Sequence, residues 1–518
     1  MTREEARKKI NPITKMDYPD ADVIRVDDTY YMISTTMHFM PGGVILRSYD
    51  LVNWEICSYV YDKLEDNVAH NLGDGKGIYG KGMWAGSLRY ANNRFYVCFS
   101  ANDTGKTYLF DAENIEGPWN RRYIEGFYHD PSLLFDGVRT YIVYGNRDIW
   151  ITELDKSLAK PKQGGLHRMI ISDAGNPMLG YEGAHIYKIN QKYYVFLIHS
   201  LRDRWRRVEA CFASDSLEGE FTGGDVLNDD RGYCGQGVAQ GGIVDTPDGD
   251  WYAILFQDSG AVGRIPVLIP IHFENDFPIF GDNGKIPEEF SVKSTRPDYE
   301  YAPLYTSDDF RYQPDRDGKI NLNPVWQWNH NPKDDLWSVT ERPGALRIYT
   351  DKVVEDICQA NNILTQRMLF PGCSGIIKVD AQGIKEGDYA GICALQGCYQ
   401  MIAITKEDGQ YYAVVMGKPV DNDALQASRK EVEQKPTVYA KRKLDSAQVT
   451  FKLTADFLYM KDEVRFFIKE DDWVGMGESL KVKFKLDHFT GCRFGLFMFS
   501  TKEAGGFADL SDFRYEIY

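Results

Sequence analysis

DADVIRVDDTYYMIST, residues 20–35, is the phrase that decides the fold, because the first half of the chain plays it five times. The other copies are AGSLRYANNRFYVCFS (85–100), DPSLLFDGVRTYIVYG (130–145), GAHIYKINQKYYVFLI (183–198) and GGIVDTPDGDWYAILF (241–256). Each is a short apolar strand, a polar turn, and a second strand opened by aromatic side chains. The aromatics Tyr30, Phe95, Tyr141, Tyr193 and Trp251 are spaced 65, 46, 52 and 58 residues apart. A hairpin recurring at this period predicts blades packed around a shared axis, a five-bladed β-propeller.

A second signature recurs further out. SYDLVNW (48–54), DAENIEGPW (111–119) and SDSLEGEF (214–221) each place a turn and a bulky aromatic after a strand, and LDKSLAKP (154–161) is a degenerate fourth. These read as blade edges, where a turn packs its aromatic against the neighbour. The repeat stops after IPVLIPIHFENDFPIFG (265–281), and DNGKIPEEFSVKSTRPDYEYAP (282–303) reads as a linker. Beyond it ALRIYT, SGIIKVDA, GQYYAVVMG, SAQVTFKLTA, EVRFFIKE and CRFGLFMFS read as strands without the phrase. Glycine turns between them predict a β-sandwich or jelly roll. Amphipathic helical patterns are nearly absent. The expected architecture is all-β, with a propeller over 1–300 and a sandwich over 301–518.

Composition narrows the partners. A formal net charge of −16 disfavours nucleic acid and anionic membrane surfaces, which need a basic footprint. No apolar run is long enough to cross a bilayer. The opening MTREEARKKINPI is charged and has no apolar core, so no secretory signal is expected. Nine scattered cysteines, with no CxxC pair and no zinc spacing, predict reduced, mostly buried thiols in a cytoplasm. The 14% of aromatic residues suits a sugar-binding surface and a large β core equally. The oligomeric state is not legible.

Three acids stand out by phase. Asp20 in YPDAD, Asp130 in HDPS and Glu182 in YEGAH each lead into the first strand of a repeat. In a propeller that strand lines the axis, so the residues before it ring one mouth. A loop acid is usually plain surface, but three in one phase predict convergence. Two acids in different environments are what glycosidic cleavage needs, one to act on water and one to protonate the leaving oxygen. A third carboxylate nearby raises the pKa of the acid by repulsion.

These motifs resemble glycoside hydrolase family 43 along essentially the whole chain. NPITKMDYPDAD (11–22) is similar to the family's opening, which implies Asp20 as general base. HDPS (129–132) is similar to its second acidic motif, which implies Asp130 as modulator and orienter of the acid. YEGAHIYK (181–188) is similar to EGP-H-x-Y and implies Glu182 as general acid. MWAGSLRY (83–90) implies a pocket role for Trp84, and GRIPVLIP (263–270) implies sugar contact by Arg264. NPVWQWNHNP (323–332), WSVTERPGALRIYT (337–350) and LTQR (364–367) resemble the concanavalin-like C-terminal domain of family β-xylosidases and arabinofuranosidases. The resemblance implies inversion, with base and acid about 6.5–9.5 Å apart to admit a water.

There are departures from the pattern. The family's PDPS is PDAD, and Asp22 is expected in turn or inter-blade hydrogen bonding. Relatives often carry a histidine before the fifth repeat that holds water or a divalent cation. Here Ala239 and Gln240 stand in that stretch, which leaves a structural calcium on the axis, through waters and Gln240, as a candidate. No other cofactor is required. Met37, His38 and Phe39 of TTMHFMPGG (35–43) match a loop that walls the sugar pocket, with ordinary packing as the alternative. Gln257 and Asp258 end a strand from which they could reach the sugar. His129 and His185 are expected in supporting or core positions, His272 in an inward strand, and Trp326, Trp328 and Trp337 in the sandwich core rather than as a sugar platform.

The expected activity is exo-acting, inverting release of terminal α-L-arabinofuranosyl or β-D-xylosyl residues from hemicellulose-derived oligosaccharides. The alternatives are an arabinan-directed arabinofuranosidase or arabinanase, a fructan-cleaving propeller, and a propeller that only binds carbohydrate. Arabinanases usually lack the second domain, the NDPN and EC motifs of fructan hydrolases are absent, and a binding module has no need of all three acids.

Overall fold

The computed structural model describes residues 4–5, 9–419, 424, 426 and 433–518. Each of the five phrases is the inner hairpin of a four-stranded antiparallel sheet. In blade one the hairpin pairs Asp22–Val26 with Thr29–Ser34, and Gly42–Ser48 and Glu55–Tyr61 complete the sheet. Blades two to five span residues 83–124, 132–172, 182–227 and 238–280. The polar turns are tight. Asn92 and Asn93 close one hairpin with φ of 51° and 58°, and Asn190 and Gln191 another with 48° and 67°. Left-handed φ at both positions is what a two-residue turn needs to match strand twist, and asparagine is enriched there. Tyr30, Phe95, Tyr141 and Tyr193 are buried and Trp251 is half-buried.

The outer signature is a blade edge, as expected. In SYDLVNW the Ser48 hydroxyl accepts from the N–H groups of Asp50 and Leu51, and the buried Trp54 donates its indole N–H to Leu51 O at 2.9 Å. The fifth repeat opens on two glycines for a steric reason. A Cβ on Gly241 would lie 1.8 Å from Ile254 O, and one on Gly242 would lie 2.8 Å from Asp22 Oδ1. Gly242 N–H donates to Ala21 O at 2.7 Å, which seats blade five against blade one.

Asp22 ties the blades together. It is fully buried and accepts from Leu88 N–H (2.8 Å), Arg89 Nη1 (2.5 Å) and Tyr187 hydroxyl (3.3 Å), with His185 Nδ1 at 3.1 Å. Burial pushes its carboxyl up, but Arg89 and His185 outweigh that and hold it at about 2. The Arg89 guanidinium also donates to Leu133 O, Ser132 Oγ and Ile186 O. One cationic side chain of blade two thus touches blades one, three and four.

The second half folds as two eight-stranded sheets face to face. The strands read from sequence appear as Leu346–Tyr349, Gly372–Asp380, Gln410–Gly417, Gln448–Asp456, Glu463–Lys469 and Arg493–Ser500. Its apolar core continues into blades one and five without a break. Phe39–Met40, from the blade-one turn, pairs with Gln327–Asn329 and becomes an edge strand of the sandwich. The linker straps blade one: Thr295 N–H donates to Tyr49 O at 2.8 Å, and Arg296 pairs with Asp28 at 2.8 Å. Trp326 and Trp328 are buried as expected, with the half-buried Trp337 against Trp328. His272 differs from expectation. Its strand Arg264–Glu274 runs past the core at this end, and the ring is exposed beside Glu274.

Candidate active site

Antiparallel blades put the start of each first strand and the end of each second strand at the same rim. A cavity of about 1010 Å³ opens there, and Asp20, Asp130 and Glu182 share its floor. Asp20 and Asp130 adopt left-handed backbone, with φ of 55° and 45°. That conformation is uncommon outside glycine and is kept only where surrounding contacts enforce it. For Asp20 the contact is Arg264, whose Nη1 donates to Oδ1 at 2.7 Å, with both side chains buried. For Asp130 it is Gly183 N–H, donating to Oδ2 at 3.0 Å. Glu182 Oε2 accepts from Asn146 Nδ2 at 2.6 Å and lies 3.3 Å from His129 Nε2.

His129 stands between the two acids, 3.4 Å from Asp130 Oδ2. Burial drives the Asp130 carboxyl up to about 6; Glu182 and Asp20 reinforce this, while His129 and the Gly183 N–H oppose it. Burial works against a charge on His129, but Asp130 and Glu182 outweigh it and lift the imidazole to about 9. The floor therefore holds an imidazolium among three carboxyl groups. His129, Asp130 and Glu182 also bring ligand atoms within 4.8 Å of one another, the one such group found among the described residues. The polar contacts of this group run among its own members and to the Asn146 amide and the Gly183 N–H.

The sequence-selected residues divide. Trp84, Met37 and Arg264 line the cavity with the three acids. His185 is in the Asp22 hub. Phe39 and Gln257 do not line the cavity, which corrects the expectation for both. Phe39 belongs to the strand added to the sandwich, and its ring is buried under the Arg493 guanidinium, 3.5 Å from the ring centroid. Gln257 is buried and spends its amide on the 228–237 loop, donating to Asp230 O (2.8 Å) and Gln236 O (2.7 Å) and accepting from Arg231 (3.1 Å). Its neighbour Asp258 lines the cavity instead. His38 is buried between the domains and not in the cavity wall.

Gln240 reaches the cavity, where its backbone and side chain are held by neighbours. Its N–H donates to Glu209 Oε2 at 2.8 Å, and its side chain packs so closely on Gly183 that a Cβ there would lie 2.7 Å from Gln240 Cδ. Deeper on the axis both Asp22 oxygens are engaged and the Arg89 guanidinium already supplies the positive charge. Calcium needs six to eight oxygen ligands, and beside Gln240 waters would have to supply most of them.

The two-domain layout leads us to expect that the second domain closes one side of the pocket, but sequence reasoning singled out none of the sandwich residues that do so. Met460, Asp462, Lys483, Phe484, Leu486 and Phe489 close one side of the cavity. The Phe489 ring lies under Arg264, 4.4 Å from centroid to guanidinium carbon, and its edge meets Trp84 at 6.3 Å. Asp17 joins the halves, accepting from Arg264 N–H and from Gly491 N–H, each at 2.8 Å. No repeat phase marks these residues. Asn146, by contrast, ends the second strand of the third phrase, and its phase could have found it.

The sequence profile described as Glycosyl hydrolases family 43 matches residues 10–278, and that described as Beta xylosidase C-terminal Concanavalin A-like domain matches residues 317–516. The chain belongs to glycosyl hydrolases family 43. Among similar proteins, a Beta-xylosidase of Formosa agariphila is 27% identical, covering 98% of this chain and 90% of that protein. A Non-reducing end alpha-L-arabinofuranosidase of Bacteroides ovatus is 24% identical over 86% of this chain and 84% of that protein. Of solved structures, a bifunctional GH43-CE protein of Bacteroides eggerthii is 39% identical with a TM-score of 0.88, covering 98% of this chain and 63% of that one. The chain thus spans less than two thirds of that bifunctional protein. An engineered GH43 glycoside hydrolase displaying endo-xylanase and exo-arabinofuranosidase activity is 25% identical, with a TM-score of 0.85 and 98% coverage of both chains. This family 43 member is a glycosidase, and the acids on its cavity floor are where its chemistry is to be sought.

Proposed function

We propose that this family 43 enzyme is an exo-acting, inverting glycosidase that releases terminal β-D-xylosyl or α-L-arabinofuranosyl residues from xylo- and arabinoxylo-oligosaccharides. The observation that carries this is the meeting of Asp20, Asp130 and Glu182 on the floor of one cavity walled by a second domain. A walled cavity admits a chain end more readily than the middle of a polymer. Asp20, in its ion pair with Arg264, takes the proton from the attacking water. Glu182, steadied by Asn146 and His129, delivers a proton to the leaving oxygen. Asp130, fixed by Gly183 N–H, orients the acid and sets the local field. The two steps balance: one proton enters at the leaving oxygen and one leaves the water, and the anomeric carbon inverts. No cofactor is needed for such acid–base chemistry. Nine unpaired cysteines, all but Cys234 buried or half-buried, support a reducing, cytoplasmic setting.

Release of nitrophenol from aryl β-D-xyloside and aryl α-L-arabinofuranoside tests the activity. Asp20→Asn and Glu182→Gln are each expected to lower kcat by about 10²–10⁴-fold, the usual worth of a positioned acid or base. Full activity in both variants would remove the assigned roles. Proton NMR of the first-formed anomer tests inversion, and retention would overturn it.

A further inference from the structure

Beside the cavity two turns meet, one from each domain. The propeller supplies residues 259–263, in which Gly260–Val262 forms a single 3₁₀ turn. It joins the strand that ends at Asp258 to the strand that opens with Arg264. The sandwich supplies residues 457–462, where Tyr459, Met460 and Asp462 all adopt left-handed backbone, with φ of 54°, 56° and 51°. Such residues are kept in a turn only where surrounding contacts enforce them. For Asp462 the contact is with the propeller. Its Oδ2 accepts from Ala261 N–H at 3.0 Å, and Gly260 lies so close that a Cβ there would stand 2.6 Å from Oδ2. Asp462 is 9% exposed, and its Oδ1 is buried with no hydrogen-bond partner. Burying a carboxyl this far costs stability, and the mechanism above makes no use of it.

The sandwich also holds Ala261 at its other polar group. Ala261 O accepts from Cys492 N–H at 2.7 Å and from Gln396 Nε2 at 2.9 Å. A grip on both backbone groups fixes where this turn lies, and three residues further on the chain reaches Arg264. Asp17 holds Arg264 at its own N–H, while Asp462 holds the turn that leads into it. The Arg264 side chain has little else to steer it. Nη1 makes its one hydrogen bond, to Asp20, and Nε and Nη2 are buried without a partner among the described residues. The guanidinium otherwise lies against the rings of Phe256 and Phe489, 5.1 and 4.4 Å from their centroids. Its approach to Asp20 is therefore set by the backbone that enters position 264. We propose that Asp462 is a positioning residue for the general base: by holding the Ala261 N–H it places Arg264, and Arg264 places the Asp20 carboxylate for the attacking water. The role needs a hydrogen-bond acceptor and not a charge. It rests on the part given to Asp20 above.

The test uses the full chain and whichever aryl glycoside it cleaves. Asp462→Gly keeps the left-handed backbone without steric cost and deletes only the carboxylate. It is expected to lower kcat about tenfold, a part of the roughly 10²-fold that a 1 Å misplacement can cost. Asp462→Asn retains an oxygen acceptor and should recover most of that loss. Ala261→Pro removes the donor from the propeller side, at the start of a turn where proline is tolerated, and should match the glycine variant. In an Arg264→Ala background Asp462→Gly should cost less than about twofold more, because its route to Asp20 is already cut. A kcat unchanged by both Asp462→Gly and Ala261→Pro would overturn the positioning role. So would the same loss repeated in the Arg264→Ala background, which is what a merely structural contact would give. Asp20→Asn separates the two proposals. If it loses activity while these variants do not, Asp462 alone is misassigned; if it keeps full activity, the base falls and this inference with it.

Discussion

On the cavity floor His129 sits between Asp130 and Glu182 and is lifted to about 9. In the seam between the domains, His38, His330 and His488 pack with Tyr79, with ring centroids 4.1–5.7 Å apart. There burial comes first. It holds His488 down to about 4 against Asp487 and Asp356, with Lys418 adding to the effect, and it lowers His38 and His330 too. The Asn329 side chain opposes this at His38, but burial outweighs it. The same residue type is thus kept charged where carboxylates outnumber it and neutral where rings surround it. The two regions respond to pH in opposite directions. His488 binds its proton less tightly when folded, so its contribution to stability is complete above about 6.5 and lost as pH falls toward 4. His129 binds its proton more tightly when folded, so its contribution is complete below about 6.5 and lost as pH rises through 9. Asp130, raised to about 6, acts in the same sense as His129: its contribution fades as pH rises from about 4.

The largest effect should come from breaking the seam. The His488 shift corresponds to about 3 kcal/mol at most between neutral pH and pH 4. His488→Phe keeps a ring on Tyr79 and removes the titration. Its urea midpoint should therefore fall less than that of wild type between pH 7.5 and pH 5. A parallel fall in both proteins would show that the seam does not control acid stability.

A smaller effect is expected on the floor. His129→Gln removes the cation that opposes protonation of Asp130 and pairs with Glu182. The acidic limb of the kcat/KM profile should move up by about one pH unit, the low end for loss of an adjacent opposite charge. An unmoved limb, with kcat merely reduced, would leave His129 a packing role.

The smallest effect links the regions. Phe489→Ala takes the sandwich's ring from Arg264 and should raise KM about fivefold with kcat little changed, as expected for a partly desolvated cation–π contact. A change in kcat alone would mean that Phe489 orders Asp20 through Arg264 and does not line the binding site.

Much of the floor was legible because repeat phase is a spatial coordinate. Asp20 and Asp130 precede first strands and Glu182 opens one, and first strands meet at the axis. Phe39 and Gln257 misled because a strand's end tells where a residue lies along the blade but not which neighbour captures its side chain. Phe39 was captured by the sandwich sheet and Gln257 by the 228–237 loop.

By itself the sequence determined the five blades, the β-rich second half and the common phase of Asp20, Asp130 and Glu182, because alternation, turn chemistry and period act locally and repeat. Only the tertiary structure decided that His129 is charged and His488 neutral, that Arg89 fills the axis, and that Phe489 closes the cavity. Each depends on groups from different blades or domains meeting in a buried space, where electrostatics and packing are set by neighbours and not by sequence position.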